Sequence, residues 1–161
     1  AGGAIAVTGL NAGSNAVTLA ARGSTAITDG DDGGAATTLD ITGTTVTLTA
    51  TTGIGATGAN DSIEVNATTI SATNATSGGI FLNDLGTGGV AVTANAQTAG
   101  ALEILGATET VTLTNLDTGN GAILVSFLYF LRLLLPDAAL FEWHTVRLAN
   151  QNYRNLEDVR H

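Results

Sequence analysis

Cysteine is absent from this chain, so neither a disulfide framework nor a thiolate metal site can hold it together. Lysine is absent too. The basic residues are Arg22, Arg132, Arg147, Arg154 and Arg160; against 14 acids they leave a net charge of -9. Such a surface repels a phosphate backbone, which argues against nucleic acid as a partner. Methionine is missing even at position 1, which fits a start exposed by processing or by excision from a longer chain, and no signal-peptide pattern is visible. Long apolar runs are scarce. The stretch AILVSFLYFLRLLL, residues 122–135, is fourteen residues long and contains Arg132, which is short of the ~20 residues of a spanning helix. Charged residues make up only 12% of the chain, about half of what an ordinary globular enzyme carries. With so little charge and so much Gly, Thr and Asn, disorder would follow if branched apolar residues were also lacking. They are not: 44% of the chain is hydrophobic and evenly spread, so a core can form.

The residues that are present fall into two kinds of sequence. All 21 glycines lie at or before Gly121, whereas four of the five arginines, both histidines, the only tryptophan and every aromatic except Phe81 lie after it. Residues 1–121 carry the whole net charge of -9, and residues 122–161 balance four acids with four arginines. The composition therefore divides the chain into 1–121 and 122–161.

The first part repeats itself. TTVTLTA at 44–50 and ETVTLTN at 109–115 are nearly the same strand, with strict alternation of apolar and hydroxyl residues. Branched apolar pairs recur throughout: Ile5/Val7, Val17/Leu19, Leu39/Ile41, Val46/Leu48, Ile63/Val65, Ile80/Leu82, Val90/Val92, Leu102/Ile104, Val111/Leu113 and Ile123/Val125, with single anchors at Ile27, Ile54 and Ile70. Gly, Asn, Asp and Thr between them supply turns. Taking every second anchor, 5, 27, 46, 63, 80, 102 and 123, predicts coils of about 20 residues, a period that calls for a solenoid. A coil of that size cannot bury its inward residues alone, but stacked coils place strands about 4.8 Å apart and join inward Val, Ile and Leu into ladders. Short strands at this spacing also suit an antiparallel sandwich. Two features favour the solenoid: small Ala50, Ala67, Ala72 and Ala94 at inward positions, and Asp-Gly hairpin pairs only at Asp29-Gly30 and Asp32-Gly33, both in one loop.

The run TTVTLTATTGIGATGANDSIEVNATTISATNATSGGIFL, residues 44–82, resembles the β-strand repeats of filamentous haemagglutinins and giant bacterial surface adhesins. The likeness covers about residues 1–125. It implies an all-β, right-handed parallel β-helix and a role in secreted or surface-displayed adhesion, in which such repeats form mostly shaft. The expectation is a non-catalytic extracellular structural module, the shaft of a surface adhesin or of a self-assembling fibre, at a bacterial surface or outside the cell.

Other chemistries compete with this reading. Asp29, Asp31 and Asp32 lie within four residues on a glycine-rich loop, which is what a hard cation such as Ca²⁺ requires. The spacing of a helix–loop–helix calcium loop is incomplete, and a solvated acidic turn is the plainer alternative. Thr-x-Thr arrays raise ice or glycan binding. The good triplets, Thr45/Thr47/Thr49 and Thr110/Thr112/Thr114, stand three coils apart, with Glu64, Asn66, Phe81, Asn83 and Ala91 expected outward between them. A polysaccharide-active β-helix would need carboxylates converging on adjacent coils, and Glu64, Glu103 and Glu109 are the only glutamates in the repeats. Asn60, Asn66 and Asn74 head glycosylation sequons, which Asn- and Thr-rich repeats also produce by chance.

In the second part, Pro136-Asp137 reads as a break. Asp137 would cap a helix over 138–149 that places Leu140, His144 and Leu148 on one face, with His144 packed rather than acting as a ligand. The apolar and aromatic residues Phe127, Tyr129, Phe130, Leu134, Leu140, Phe141 and Trp143 are expected to cap the last coil or to dock on a neighbouring subunit, since open solenoid ends aggregate unless covered. An abrupt change of composition also fits a tail foreign to the repeats. A start in repeat-like sequence together with an apolar tail suggests head-to-tail self-association into a fibre or oligomer.

Overall fold

The computed structural model describes residues 3–31, 38–58, 61–97, 100–106, 110–131 and 140–148. In chain order these carry β1 (Ile5–Val7), β2 (Leu10–Asn11), β3 (Val17–Ala20), β4 (Ile27–Asp29), β5 (Ile41–Thr42), β6 (Thr45–Ala50), β7 (Ile63–Asn66), β8 (Thr69–Asn74), β9 (Ile80–Asp84), β10 (Val90–Ala96), β11 (Leu102–Gly106), β12 (Val111–Asp117), β13 (Ile123–Leu131) and β14 (Leu140–Leu148). There is no helix among the described residues.

The strands stack in parallel as a β-solenoid of about five turns. One face is a five-stranded sheet in the order β12-β10-β8-β6-β3. The other runs β14-β13-β11-β9-β7-β5-β2, with β1 and β4 paired beside it. The clearest sign of the winding is one ladder: Ile5 stacks on Ile27, Ile27 on Ile54, Ile54 on Ile80, Ile80 on Leu102 and Leu102 on Ile123. Along it, the N–H groups of Ile5, Ile27, Ile54, Ile80 and Leu102 donate to the carbonyls of Ala26, Gly53, Gly79, Ala101 and Ala122 at 2.9–3.1 Å. Ile27, Ile54, Ile80 and Leu102 are 0% exposed, and each such burial is worth about 1.5–3 kcal/mol. Facing them, Val46, Leu48, Ile70, Val92 and Ala94 fill the interior from the second sheet. The expected inward alanines, Ala50, Ala67, Ala72 and Ala94, are all buried.

The winding departs from the anchor spacing in two ways. The ladder runs through Ile54, not through Val46 and Ile63. Val46 belongs to the opposite sheet, stacked between Val17 and Ile70, and Ile63 stacks on Leu82. The coils are also longer and less uniform than the anchor spacing predicts. On the ladder, the steps from Ile27 to Ile54 and from Ile54 to Ile80 are the longest, and those on either side are shorter. In the opposite sheet the steps shorten steadily from Val17 through Val46, Ile70 and Val92 to Leu113. The reason is physical. More residues separate Asp29 from Asp40, and Gly55 from Ser62, than β9 uses at the same corner, and such an excursion adds length without disturbing the apolar pattern on either side.

At the corner after β8 the coils approach too closely for a side chain. A Cβ on Gly100 would lie 1.8 Å from the Gly78 carbonyl oxygen, and Gly78 itself has φ +80°, a conformation glycine adopts at no steric cost. Asn74 holds this corner, its buried side-chain amide donating to the carbonyls of Ser77 and Gly78. Its sequon is thus committed to the fold.

The compositional break at Gly121 is not a break in the stack, because β13 lies in parallel register on β11. The helix expected over 138–149 is not formed across 140–148. That stretch is β14, paired antiparallel with β13 from Ile123↔Leu148 to Leu131↔Leu140. The spacing of Leu140, His144 and Leu148 suits a helix, but the intervening sequence FEWHTV is aromatic and β-branched, and β13 supplies a long edge for it to pair with. Of the expected capping residues, Phe127, Tyr129 and Phe130 lie on β13, opposite His144, Glu142 and Phe141, while Leu140 and Trp143 lie on β14 opposite Leu131 and Leu128. Leu134, Pro136 and Asp137 lie outside the described residues. No helix among the described residues is long and apolar enough to cross a membrane.

Candidate functional site

The two excursions leave from the same corner of successive coils, and polar residues gather at their roots. The first departs at Asp29, the last residue of β4. Asp29 Oδ1 accepts the Asp31 N–H at 2.9 Å, closing an Asx turn at the end of the strand. The Gly30 N–H donates to the Val7 carbonyl at 2.7 Å, an approach so close that a Cβ there would lie 2.9 Å from that oxygen. The chain returns at Asp40. Its carbonyl accepts the Leu10 N–H, and its N–H donates to the Glu64 carbonyl. The Glu64 N–H donates in turn to Asp40 Oδ2 at 3.1 Å. Asp40 thus ties together three consecutive coils.

The second excursion leaves at Gly55 (φ +64°), where a Cβ would lie 2.6 Å from the Phe81 carbonyl oxygen, and returns at Ser62. The Ser62 hydroxyl donates to Glu64 Oε1 at 3.1 Å, and the Asn83 amide donates to the same oxygen at 3.3 Å. Glu64 and Asn83 stack in register, so Asp40, Glu64 and Asn83 form a short polar column through three coils.

This column is closed to water: Asp40 is 0% and Glu64 2% exposed, and Asp29 is also buried. Carboxylate oxygens of Asp29, Asp31 and Asp40 lie within 4.8 Å of one another. Burial pushes the Asp40 carboxyl up to about 7; the charges of Asp29 and Glu64 add to that, and the Glu64 N–H opposes it. Burial likewise raises Glu64, against the hydrogen bonds from Asn83 and Ser62. Asp84, the next buried acid along, is raised by the same cause, against the Gly86 N–H. Positive charge is scarce, since Arg22 is the only basic residue before position 132.

Of the three aspartates expected to bind a cation, Asp29 and Asp31 stand together, and Asp32 lies outside the described residues. The sequence reading missed Asp40 and Glu64. Glu64, Phe81 and Asn83, expected outward, are buried. The signal that could have found the pair is the spacing: Asp40 precedes Ile41 and Glu64 precedes Val65, and Ile41 stacks on Val65. Asp40 and Glu64 are carboxylates that converge from adjacent coils, and neither is open to a polymer substrate.

A second surface is built by the five-stranded sheet. Its outward residues stand in columns: Thr18, Thr47, Ser71, Thr93 and Asn115 in one, Ala20, Thr49, Thr73, Asn95 and Asp117 in the next, and Thr45, Thr69, Ala91 and Thr112 in a third. The residues expected to interrupt this array, Glu64, Asn66, Phe81 and Asn83, belong to the other sheet; only Ala91 falls within it. The Thr45/Thr47/Thr49 triplet has Thr69/Ser71/Thr73 directly beside it, and the columns hold register from β3 to β10, shifting at β12 after Val92. Alternation along β6 turns Val46, Leu48 and Ala50 inward and the hydroxyls outward.

No protein-family model, curated protein or solved structure matches the chain.

Proposed function

We propose that the chain is a non-catalytic structural module, the shaft of a bacterial surface adhesin or of a self-assembling fibre, displayed outside the cell. The observation that carries this reading is the unbroken ladder from Ile5 to Ile123. Every coil is hydrogen-bonded to its neighbours along the axis, so load is shared among many parallel backbone bonds and the module resists bending. The resemblance of residues 44–82 to adhesin repeats supports the same reading. Strand edges remain for head-to-tail association: β3 and β12 are the terminal strands of the five-stranded sheet among the described residues, while β14 occupies one end of the other. Electron microscopy of the purified chain tests it. Rods or fibres whose length grows with concentration are expected; compact particles that stay monomeric at every concentration would refute assembly.

The hydroxyl columns favour a second reading, a binding face for ice or a glycan. Regular threonines about 4.8 Å apart across strands and roughly 7 Å apart along them offer a periodic array of donors, acceptors and methyl groups that suits an ordered, hydroxyl-rich ligand. Ice-growth inhibition and glycan-array binding by the intact chain test it; activity in neither assay would leave this face as a solvated surface.

A further inference from the structure

We propose that Asp29, Asp31 and Asp40 form a binding site for a divalent cation, Ca²⁺ in preference to Mg²⁺, that pins the roots of the excursions to the solenoid. Four observations lead there. The donors are all carboxylate oxygens, the set that hard cations select. Their mutual distances, within 4.8 Å, stay inside the limit for oxygens that share one Ca²⁺, since two oxygens at about 2.4 Å from an ion are at most about 4.8 Å apart. The Asp40 side chain is 0% exposed; its Oδ2 accepts the Glu64 N–H, yet its Oδ1 has no hydrogen-bond partner. A buried carboxylate oxygen left unpaired is costly, and it belongs to the carboxylate that converges with Asp29 and Asp31. Finally, Arg22 is the only basic residue before position 132, so the repeats carry almost no positive charge of their own. Buried carboxylates in such a setting call for a counterion.

The bound ion would join the end of β4 to the start of β5, and through Asp40 it would reach β7 and β2. It would therefore stiffen the coils that the excursions interrupt. This inference does not depend on the shaft reading; the two have separate readouts, ion binding here and particle shape there.

The test is calorimetric titration and thermal unfolding of the intact purified chain after EDTA treatment, with CaCl₂, with MgCl₂, and with NaCl at matched ionic strength. A saturable Ca²⁺ heat of binding and a rise in the unfolding midpoint with Ca²⁺ concentration are expected. Asp31→Asn, at a half-buried position, should weaken Ca²⁺ binding by about tenfold or more, and Asp40→Asn should do the same. Asp61→Asn, an exposed acid outside the cluster, should leave it unchanged. Circular dichroism of each variant checks that it folds. If Ca²⁺ gives no saturable effect, or an effect that NaCl or Asp31→Asn reproduces in full, the site does not exist. An equal response to Mg²⁺ that Asp31→Asn abolishes would overturn the preference for Ca²⁺.

Discussion

The coils that contain β4 to β7 and the coils that contain β9, β11 and β13 share one ladder and differ at one corner. In β9, β11 and β13 the chain passes that corner as continuous strand, and the steps from Ile80 to Leu102 and from Leu102 to Ile123 are short. In the earlier coils it leaves between Asp29 and Asp40 and between Gly55 and Ser62, and the steps from Ile27 to Ile54 and from Ile54 to Ile80 lengthen along the same ladder. A regular strand such as β11 buries only Leu102, Ile104 and the backbone at Gly106. The interrupted coils bury Asp29, Asp40, Ser62 and Glu64, and β9, stacked directly on them, adds Asn83 and Asp84. The apolar ladder tolerates insertions because stacking is decided strand by strand, and what an insertion adds is a place to enclose polar groups. Loop length alone is a small cost, about 0.6 kcal/mol per doubling. The larger cost is desolvating carboxylates, and it falls on the interrupted half and the strand that covers it.

Four changes test the difference between the two regions. Ile54→Ala in the interrupted half and Leu102→Ala in the regular half should each cost about 2–5 kcal/mol in denaturant unfolding, since both are fully buried members of one ladder. Costs that differ by more than that range would mean the two halves unfold separately. Gly100→Ala should cost about 1–3 kcal/mol, because its Cβ meets the Gly78 carbonyl oxygen and backbone must move.

The third change is in pH and is centred on the interrupted half. Folding raises Asp40 from its ordinary value of 3.8 to about 7, so between those values the folded chain holds more protons than the unfolded one. Stability of the chain in EDTA should be greatest near pH 4 and fall as pH rises to about 7. Glu64 and Asp84, both raised, act in the same direction. Denaturation midpoints against pH measure this, and Asp40→Asn should flatten the profile. The smallest effect belongs to the hydroxyl face. Thr47→Val removes one hydroxyl from the middle of a column and should change stability by no more than about 0.5 kcal/mol, while any ice or glycan activity should decline measurably.

Much of this could be read from the residues. Alternation in TTVTLTA and ETVTLTN located β6 and β12, and small inward alanines distinguished a narrow coil from a sandwich. Asp29 and Asp31 stood out because they are close neighbours in the chain. Asp40 did not, because its partner Glu64 lies a whole coil further along, and their meeting depends on how long the second excursion is. The tail misled for a related reason. Leu140, His144 and Leu148 are compatible with a helix, and only the pairing edge of β13 makes the stretch a strand.

Local chemistry by itself determined that this chain forms short strands, that its turns are glycine-rich, and that it must stack them to bury anything, because period-two alternation and small inward residues leave no other way to remove branched aliphatics from water. Which strands became neighbours was decided only by the tertiary structure. Residues such as Ile27 and Ile54, or Asp40 and Glu64, share a column because backbone hydrogen bonds and interlocking side chains set the register between coils, and that register absorbs excursions whose length no local pattern records.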